Sequence, residues 1–206
     1  MKRRNYGGGI TMANICCDDV YFYSDQYPER LQVLWNDLKA SIILPSQSPD
    51  NCWIGNLFQY KKFSSENLSL RGSVCDMDYD GSSIFLALET CWSPLYEAYQ
   101  RIANTYGVSF VMRGIEPSCE IYHNTDDEKR YFYDQYIVRI DDTDCITPIG
   151  KPLSAFIESD ETFISRASIL KRFESAGYLA ESFSDLTKLL QDNGISIYEF
   201  QNPYKE

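Results

Sequence analysis

The stretch Leu88-Glu89-Thr90-Cys91-Trp92-Ser93-Pro94 constrains the fold of this chain more than any other. Ile84, Leu86 and Leu88 alternate before it and give a strand one apolar face. Ser93 and Pro94 then supply an N-cap hydroxyl and a proline at a first helical position, where the missing N–H costs nothing. A strand is therefore expected to turn sharply into a helix. That helix carries Leu95, Ala98, Tyr99, Ile102 and Tyr106 on one face, stops at Gly107, and gives way to the alternating Val108, Phe110 and Met112.

Similar punctuation divides the rest of the chain. Residues 1–11 show no apolar period, whereas Ile15, Cys17, Val20 and Phe22 read as a strand, so the fold is expected to begin at Met12. Residues 1–11 are read as a non-native or disordered leader, with translation starting at Met12 and Gly7-Gly8-Gly9 reflecting a ribosome-binding sequence read as codons. Losing Lys2, Arg3 and Arg4 and no acid would take the formal charge from −11 to −14. Pro28 opens a helix with Leu31, Leu34, Trp35, Leu38 and Ile42 on one face, and Pro45, Ser46, Ser48 and Pro49 break it. Trp53 to Phe58 reads as a short helical cover. Strand patterns near 71–77 and 82–88 flank Asp80-Gly81, a dipeptide suited to positive φ at a hairpin tip.

In order, these elements read strand, helix, strand, strand, helix, strand. That is the α+β, split βαβ or ferredoxin-like arrangement, with two helices on one face of an antiparallel sheet. Glu120 to His123 and Tyr131 to Ile140 are expected to add a β-hairpin closed by Thr125-Asp126-Asp127-Glu128, and Pro148, Gly150 and Pro152 read as a linker. The ferredoxin-like domain would thus occupy 12–148. Residues 149–206 read as a small C-terminal helical extension of α-α-β order. Its first helix, near Arg166 to Ala176, turns Ile169, Leu170 and Phe173 inward and stops at Gly177. Its second opens on a capping-box pattern at Ser182 to Asp185, carries Leu186, Leu189 and Leu190, and ends at Asn193-Gly194 before Ile195, Ile197 and Glu199. So short a segment makes a marginal core, and it is expected to dock on the first domain.

Charge narrows the choice of partner. A formal net charge of −11 opposes a phosphate backbone, so direct nucleic-acid binding is not expected and a protein with a basic surface is. The apolar runs are too short to span a membrane, and Lys2-Arg3-Arg4 leads into Tyr6 and three glycines instead of a signal-peptide core, which points to the cytoplasm. Seven cysteines, an odd count, read as reduced and mostly buried thiols, with Cys75 and Cys91 in apolar settings. Cys16-Cys17 lacks zinc-pair spacing and His123 is the sole histidine, so neither metal nor cofactor is expected.

Several residues carry a more specific likeness. Met12-Ala13-Asn14 followed by Cys16, then Glu89-Thr90 and Trp92-Ser93-Pro94, Ala103, Tyr106-Gly107 and Glu116-Pro117 resemble the ferredoxin-like domain of the YubB family. These are uncharacterised proteins found largely on plasmids and other mobile elements. The likeness spans about residues 13–140. Ile15 stands where relatives often have Trp, and Ser118 to Tyr122 lacks the glycines that often follow the Glu-Pro step. It implies a ferredoxin-like fold and a mobile-element setting, and it brings no catalytic residue.

Three constellations remain. Asp76-x-Asp78-x-Asp80-Gly81 opens like a calcium loop, but the twelfth position is Ala87 where a bidentate Glu is needed, so a structural hairpin tip is the better reading. Glu89, Trp92 and Glu116 are a candidate pocket able to do acid–base work or hold a basic side chain; the competing reading has Trp92 plugging the core end and Glu89 accepting hydrogen bonds at the turn. Asp126, Asp127, Glu128, Tyr131, Tyr133, Asp141, Asp142 and Asp144 form the expected protein-binding surface, while His123 lacks a catalytic partner and Ser182 and Ser184 suit helix caps. The expected function is a non-enzymatic protein-binding module of a mobile element, in its sharper form a nucleic-acid mimic that inhibits a host defence enzyme. The alternatives are a small hydrolase using carboxylates around Glu89 and Glu116, and a self-assembling structural subunit.

Overall fold

The structure is a computed structural model that describes residues 14–44, 51–141 and 145–205. The expectations for residues 1–11 and Met12, for the break at Pro45 to Pro49, and for Asp142 and Asp144 lie outside the described residues. Among those described, the chain is α+β, with five α-helices and two antiparallel sheets. It divides into two compact units, 1–121 and 122–206. The division falls at Ile121/Tyr122, earlier than the Pro148 to Pro152 segment read as a linker.

The first unit contains β1 (Ile15–Tyr23), α1 (Pro28–Ser41), α2 (Gly55–Lys61), β2 (Gly72–Tyr79), β3 (Ser83–Cys91), α3 (Tyr96–Tyr106) and β4 (Ser109–Glu116). Within this unit the sheet order is β2-β3-β1-β4, and β5 (Ile121–Asn124) begins at its last residue. The pairs β2/β3, β3/β1 and β1/β4 are all antiparallel. Alternation in β1 sends Cys16, Asp18, Val20 and Phe22 inward. Leu31, Leu34 and Leu38 of α1 share one core with Ala98, Tyr99 and Ile102 of α3, over Val20, Phe22, Ile84, Leu86 and Met112. Both helices thus pack on the same face, and each buried leucine contributes about 1.5–3 kcal/mol of hydrophobic free energy.

The junction after β3 forms where the sequence places it, but by another device. α3 begins at Tyr96 and its N-cap residue, Leu95, has no side chain able to cap, so Ser93 and Pro94 precede the helix instead of opening it. The cap comes from β1: the Asp18 carboxylate accepts the Leu95 N–H at 3.0 Å. Trp92 takes a left-handed φ of 73° and is 42% exposed, which corrects the idea that it plugs the core end. Pro94 packs so closely on β4 that a Cβ on Gly114 would lie 2.4 Å from its Cγ, so only glycine fits there.

The second unit contains β6 (Tyr136–Ile140), β7 (Glu161–Phe163), α4 (Arg166–Ser175), α5 (Phe183–Gln191) and β8 (Ile195–Glu199). Its sheet order, β7-β6-β8, corrects two expectations. First, β6 pairs with β7 and β8, so the hairpin of Glu120 to His123 with Tyr131 to Ile140 does not form; residues 125–135 make a loop too long for a tight turn. Second, the helices and final strand of the expected α-α-β extension belong to a larger α+β unit that also holds β6 and β7, with its own core of Val138, Ile169, Phe173, Leu186, Leu190 and Ile195. The helix punctuation follows the sequence. Ser165 and Ser168 form a capping box for α4, Ser182 accepts the Asp185 N–H for α5, and Gly177 and Gly194 take φ of 90° and 66°.

Candidate functional site

The loop between β5 and β6 is organised by two side chains. Asn124 Oδ1 accepts the Asp126 N–H at 2.8 Å, and Asp126 Oδ2 accepts the N–H groups of Tyr131 at 2.6 Å and Phe132 at 2.9 Å. These bonds satisfy backbone donors that would otherwise be orphaned in a buried turn. Asp126 is 5% exposed, so it serves the loop and not the surface, a correction to its expected role in partner contact. The chain past β8 closes the other side: Phe200 N–H donates to the Gln135 carbonyl at 2.9 Å, and Asn202 Nδ2 donates to Asp127 Oδ2 at 3.2 Å.

Between these strands lies a cleft of about 220 Å³ lined by Asp127, Asp134, Glu199 and one lysine, Lys129, around Phe132 and Phe200, with the loop-bound Asp126 also in its wall. Two of the rim acids already hold cations. Lys205 Nζ lies 3.2 Å from Asp127, and Arg166 lies 3.2 Å from Glu199. Both pairs are exposed, a setting in which an ion pair contributes about 0–1 kcal/mol and exchanges readily for another cation. The arrangement suits a basic side chain with an apolar stem.

Of the other expected contact residues, Glu128 and Tyr133 are exposed outside the cleft lining, and Tyr131 is half-buried under the Arg130 guanidinium at 5.5 Å. Asp141 is exposed and pairs with Arg139 at 3.3 Å. Asp134, Glu199 and Phe200 were missed in the sequence because they belong to the cleft only once β8 runs beside β6. The signal present was the dense run of acids and aromatics at 126–136.

Glu89, Trp92 and Glu116 take no part in the lining of the cleft that holds Asp127 and Glu199. Glu89 and Trp92 are exposed, whereas Glu116 is buried. Its carboxylate caps the 3-10 turn Pro117–Cys119, accepting from Ser118 N–H at 3.2 Å and Cys119 N–H at 2.5 Å. Burial opposes its ionisation, but those donors win and hold its pKa below the ordinary glutamate value. A carboxylate committed to two amides is a poor general base. The hairpin acid Asp80 is similarly engaged, accepting from Ser82 N–H at 2.8 Å and Ser83 N–H at 2.7 Å.

Another buried carboxylate escaped the sequence reading altogether. Asp18 is 1% exposed and accepts the Tyr99 O–H at 2.6 Å as well as Leu95 N–H, with Cys16 Sγ at 3.3 Å. Burial raises its pKa to about 6, although Tyr99, Leu95, Cys16 and Thr90 all favour the charged form. It sits among Cys16, Thr90, Leu95 and Tyr99, so its work is to tie β1 to the start of α3. His123 is half-buried and packs edge-on against Tyr204 at 5.8 Å, and burial lowers its pKa. The thiols are all free, and Cys17, Cys75 and Cys119 are exposed, which corrects the expected apolar setting of Cys75. Among the described residues no helix is long and apolar enough to cross a membrane. Comparisons with protein-family models, with curated proteins and with solved structures each find no match for this chain.

Proposed function

We propose that this chain is a non-enzymatic protein-binding module that holds a basic partner in the acidic cleft of its second unit. The observation that carries the reading is the cleft itself, where Asp127, Asp134 and Glu199 stand with one lysine around two phenylalanines, Asp126 being committed to the loop. A guanidinium or ammonium entering it can take over Asp127 from Lys205 and Glu199 from Arg166 while its stem covers Phe132 or Phe200. The net charge of −11 adds long-range steering of such a partner at low salt.

We further infer that the first unit is a ferredoxin-like domain of the YubB type. Supporting this are the β2-β3-β1-β4 order, the antiparallel pairing of every neighbour in it, and the shared core of α1 and α3. That kinship implies a mobile-element setting in the cytoplasm. There, the sharper form of the reading is an acidic module that occupies the nucleic-acid groove of a host defence enzyme.

Calorimetric titration with a nine-residue peptide of alternating Arg and Gly tests the cleft. The triple variant Asp127→Asn/Asp134→Asn/Glu199→Gln is expected to weaken binding at least tenfold, and binding by the unaltered protein should fall steeply with salt. Equal binding by the variant would refute the assignment.

A further inference from the structure

The sheet of the first unit has a second face, turned away from α1 and α3. Along one row of that face the register sets Asp78 opposite Phe85, Phe85 opposite Tyr21, and Tyr21 opposite Val111. Side chains paired across antiparallel strands project to the same side, so this row brings a carboxylate and two aromatic rings together. The Tyr21 and Phe85 rings lie 5.0 Å apart at 41°. With Asp78, Asp80 and Ser83 they line a cleft of about 140 Å³. That is well below the roughly 300 Å³ of an ordinary small-molecule pocket and suits one side-chain head.

We propose that this cleft is an anchor for a single arginine side chain of a partner protein. Three observations select the occupant. The walls include two aromatic rings, Tyr21 and Phe85, and aromatic rings attract a planar guanidinium by stacking and by the ring quadrupole. The rim is anionic: Asp78 is exposed, and Asp80 is fixed in place by Ser82 and Ser83, with its Oδ2 accepting from the Ser83 hydroxyl at 3.3 Å. Charge on this face is also unbalanced. Asp76 and Glu89 stand exposed, and Arg113 is paired with Asp19 at 2.7 Å. Neither Asp78 nor Asp80 is in an ion pair among the described residues. A nucleotide base could use the same rings, but its phosphate would meet those carboxylates. The site deepens the proposed function by giving a basic partner a second point of contact, and it lies wholly in the first unit.

The test is a chemical-shift titration of the full chain with N-acetyl-arginine amide, with the neutral isostere N-acetyl-citrulline amide as control. Arginine amide is expected to move the amide resonances of Tyr21, Asp78, Ser83 and Phe85, and citrulline amide to leave them in place. Asp78→Asn and Phe85→Leu are each expected to weaken the arginine response at least fivefold. Asp78→Asn alters one exposed strand position and decides the matter if Phe85→Leu does not fold. Absence of the shifts, equal shifts with citrulline, an unchanged response in Asp78→Asn, or movement of the same resonances by a short oligouridylate would each overturn the proposal. Failure here leaves the second-unit titration unaffected, so the two readings are separable.

Discussion

Replacing Asp18 probes the joint on which the first unit depends. Both Leu95 N–H and Tyr99 O–H donate to the same oxygen, Oδ2. Asp18→Ala leaves both donors buried without an acceptor, at about 1–3 kcal/mol each, so a loss of about 3 kcal/mol is expected. Asp18→Asn keeps one acceptor oxygen for both and should cost about 1 kcal/mol. The pH dependence has a definite sign. Burial lifts the folded pKa from 3.8 to about 6, so the stabilisation is fully present below pH 3.8 and is lost as pH rises through about 6. The whole effect is about 3 kcal/mol, of which about 1.5 kcal/mol falls between pH 7.5 and pH 5. Urea unfolding followed through amide resonances of β1 and α3 measures both quantities. On going from pH 7.5 to pH 5 the unaltered protein should gain about 1.5 kcal/mol relative to Asp18→Asn. Parallel pH profiles, or a cost for Asp18→Ala below about 1 kcal/mol, would refute the reasoning.

Gly114→Ala forces a Cβ against Pro94 and should lower stability by about 1–3 kcal/mol, read from the urea midpoint. Ser165→Ala removes the side-chain acceptor of the α4 capping box and should cost about 1 kcal/mol, seen as faster hydrogen exchange in the first turn of that helix. Burial lowers the pKa of His123, so its share of stability is present above pH 6.5 and lost as pH falls through its lowered folded value; His123→Gln should flatten the acid limb of a melting-temperature profile. Because Asp80 is engaged by the hairpin tip, added calcium should leave the melting temperature unchanged, and a rise of several degrees would reopen the metal reading.

Local chemistry was legible in the sequence where a short stretch decides it. Pro28 and the leucines of α1, Gly107 after α3, the Ser182 cap and the Asp80-Gly81 tip all express themselves within a few residues, and each stands where its pattern placed it. Long-range choices were not legible. The alternation through Tyr136, Val138 and Ile140 announces a strand but says nothing of its partners, and β6 joins β7 and β8 in place of β5. The cap of α3 eluded the reading for a related reason, since Asp18 is distant in sequence and looks like any acid in an edge of charge. The cleft was half visible: Asp126 and Asp127 lie in the acidic run, while Glu199 and Phe200 arrive only through tertiary folding.

Mapping where a basic chain lands tests the central claim most directly. An amide chemical-shift map of the full chain with the alternating Arg-Gly peptide at low salt should concentrate its changes at Asp127, Gln135, Phe200 and Asn202 around the second-unit cleft, with a second, separate cluster at Tyr21, Asp78, Ser83 and Phe85 if the first-unit anchor also fills. Changes spread evenly over exposed carboxylates throughout the chain would mean that acidity alone attracts the peptide, and would contradict a built binding site.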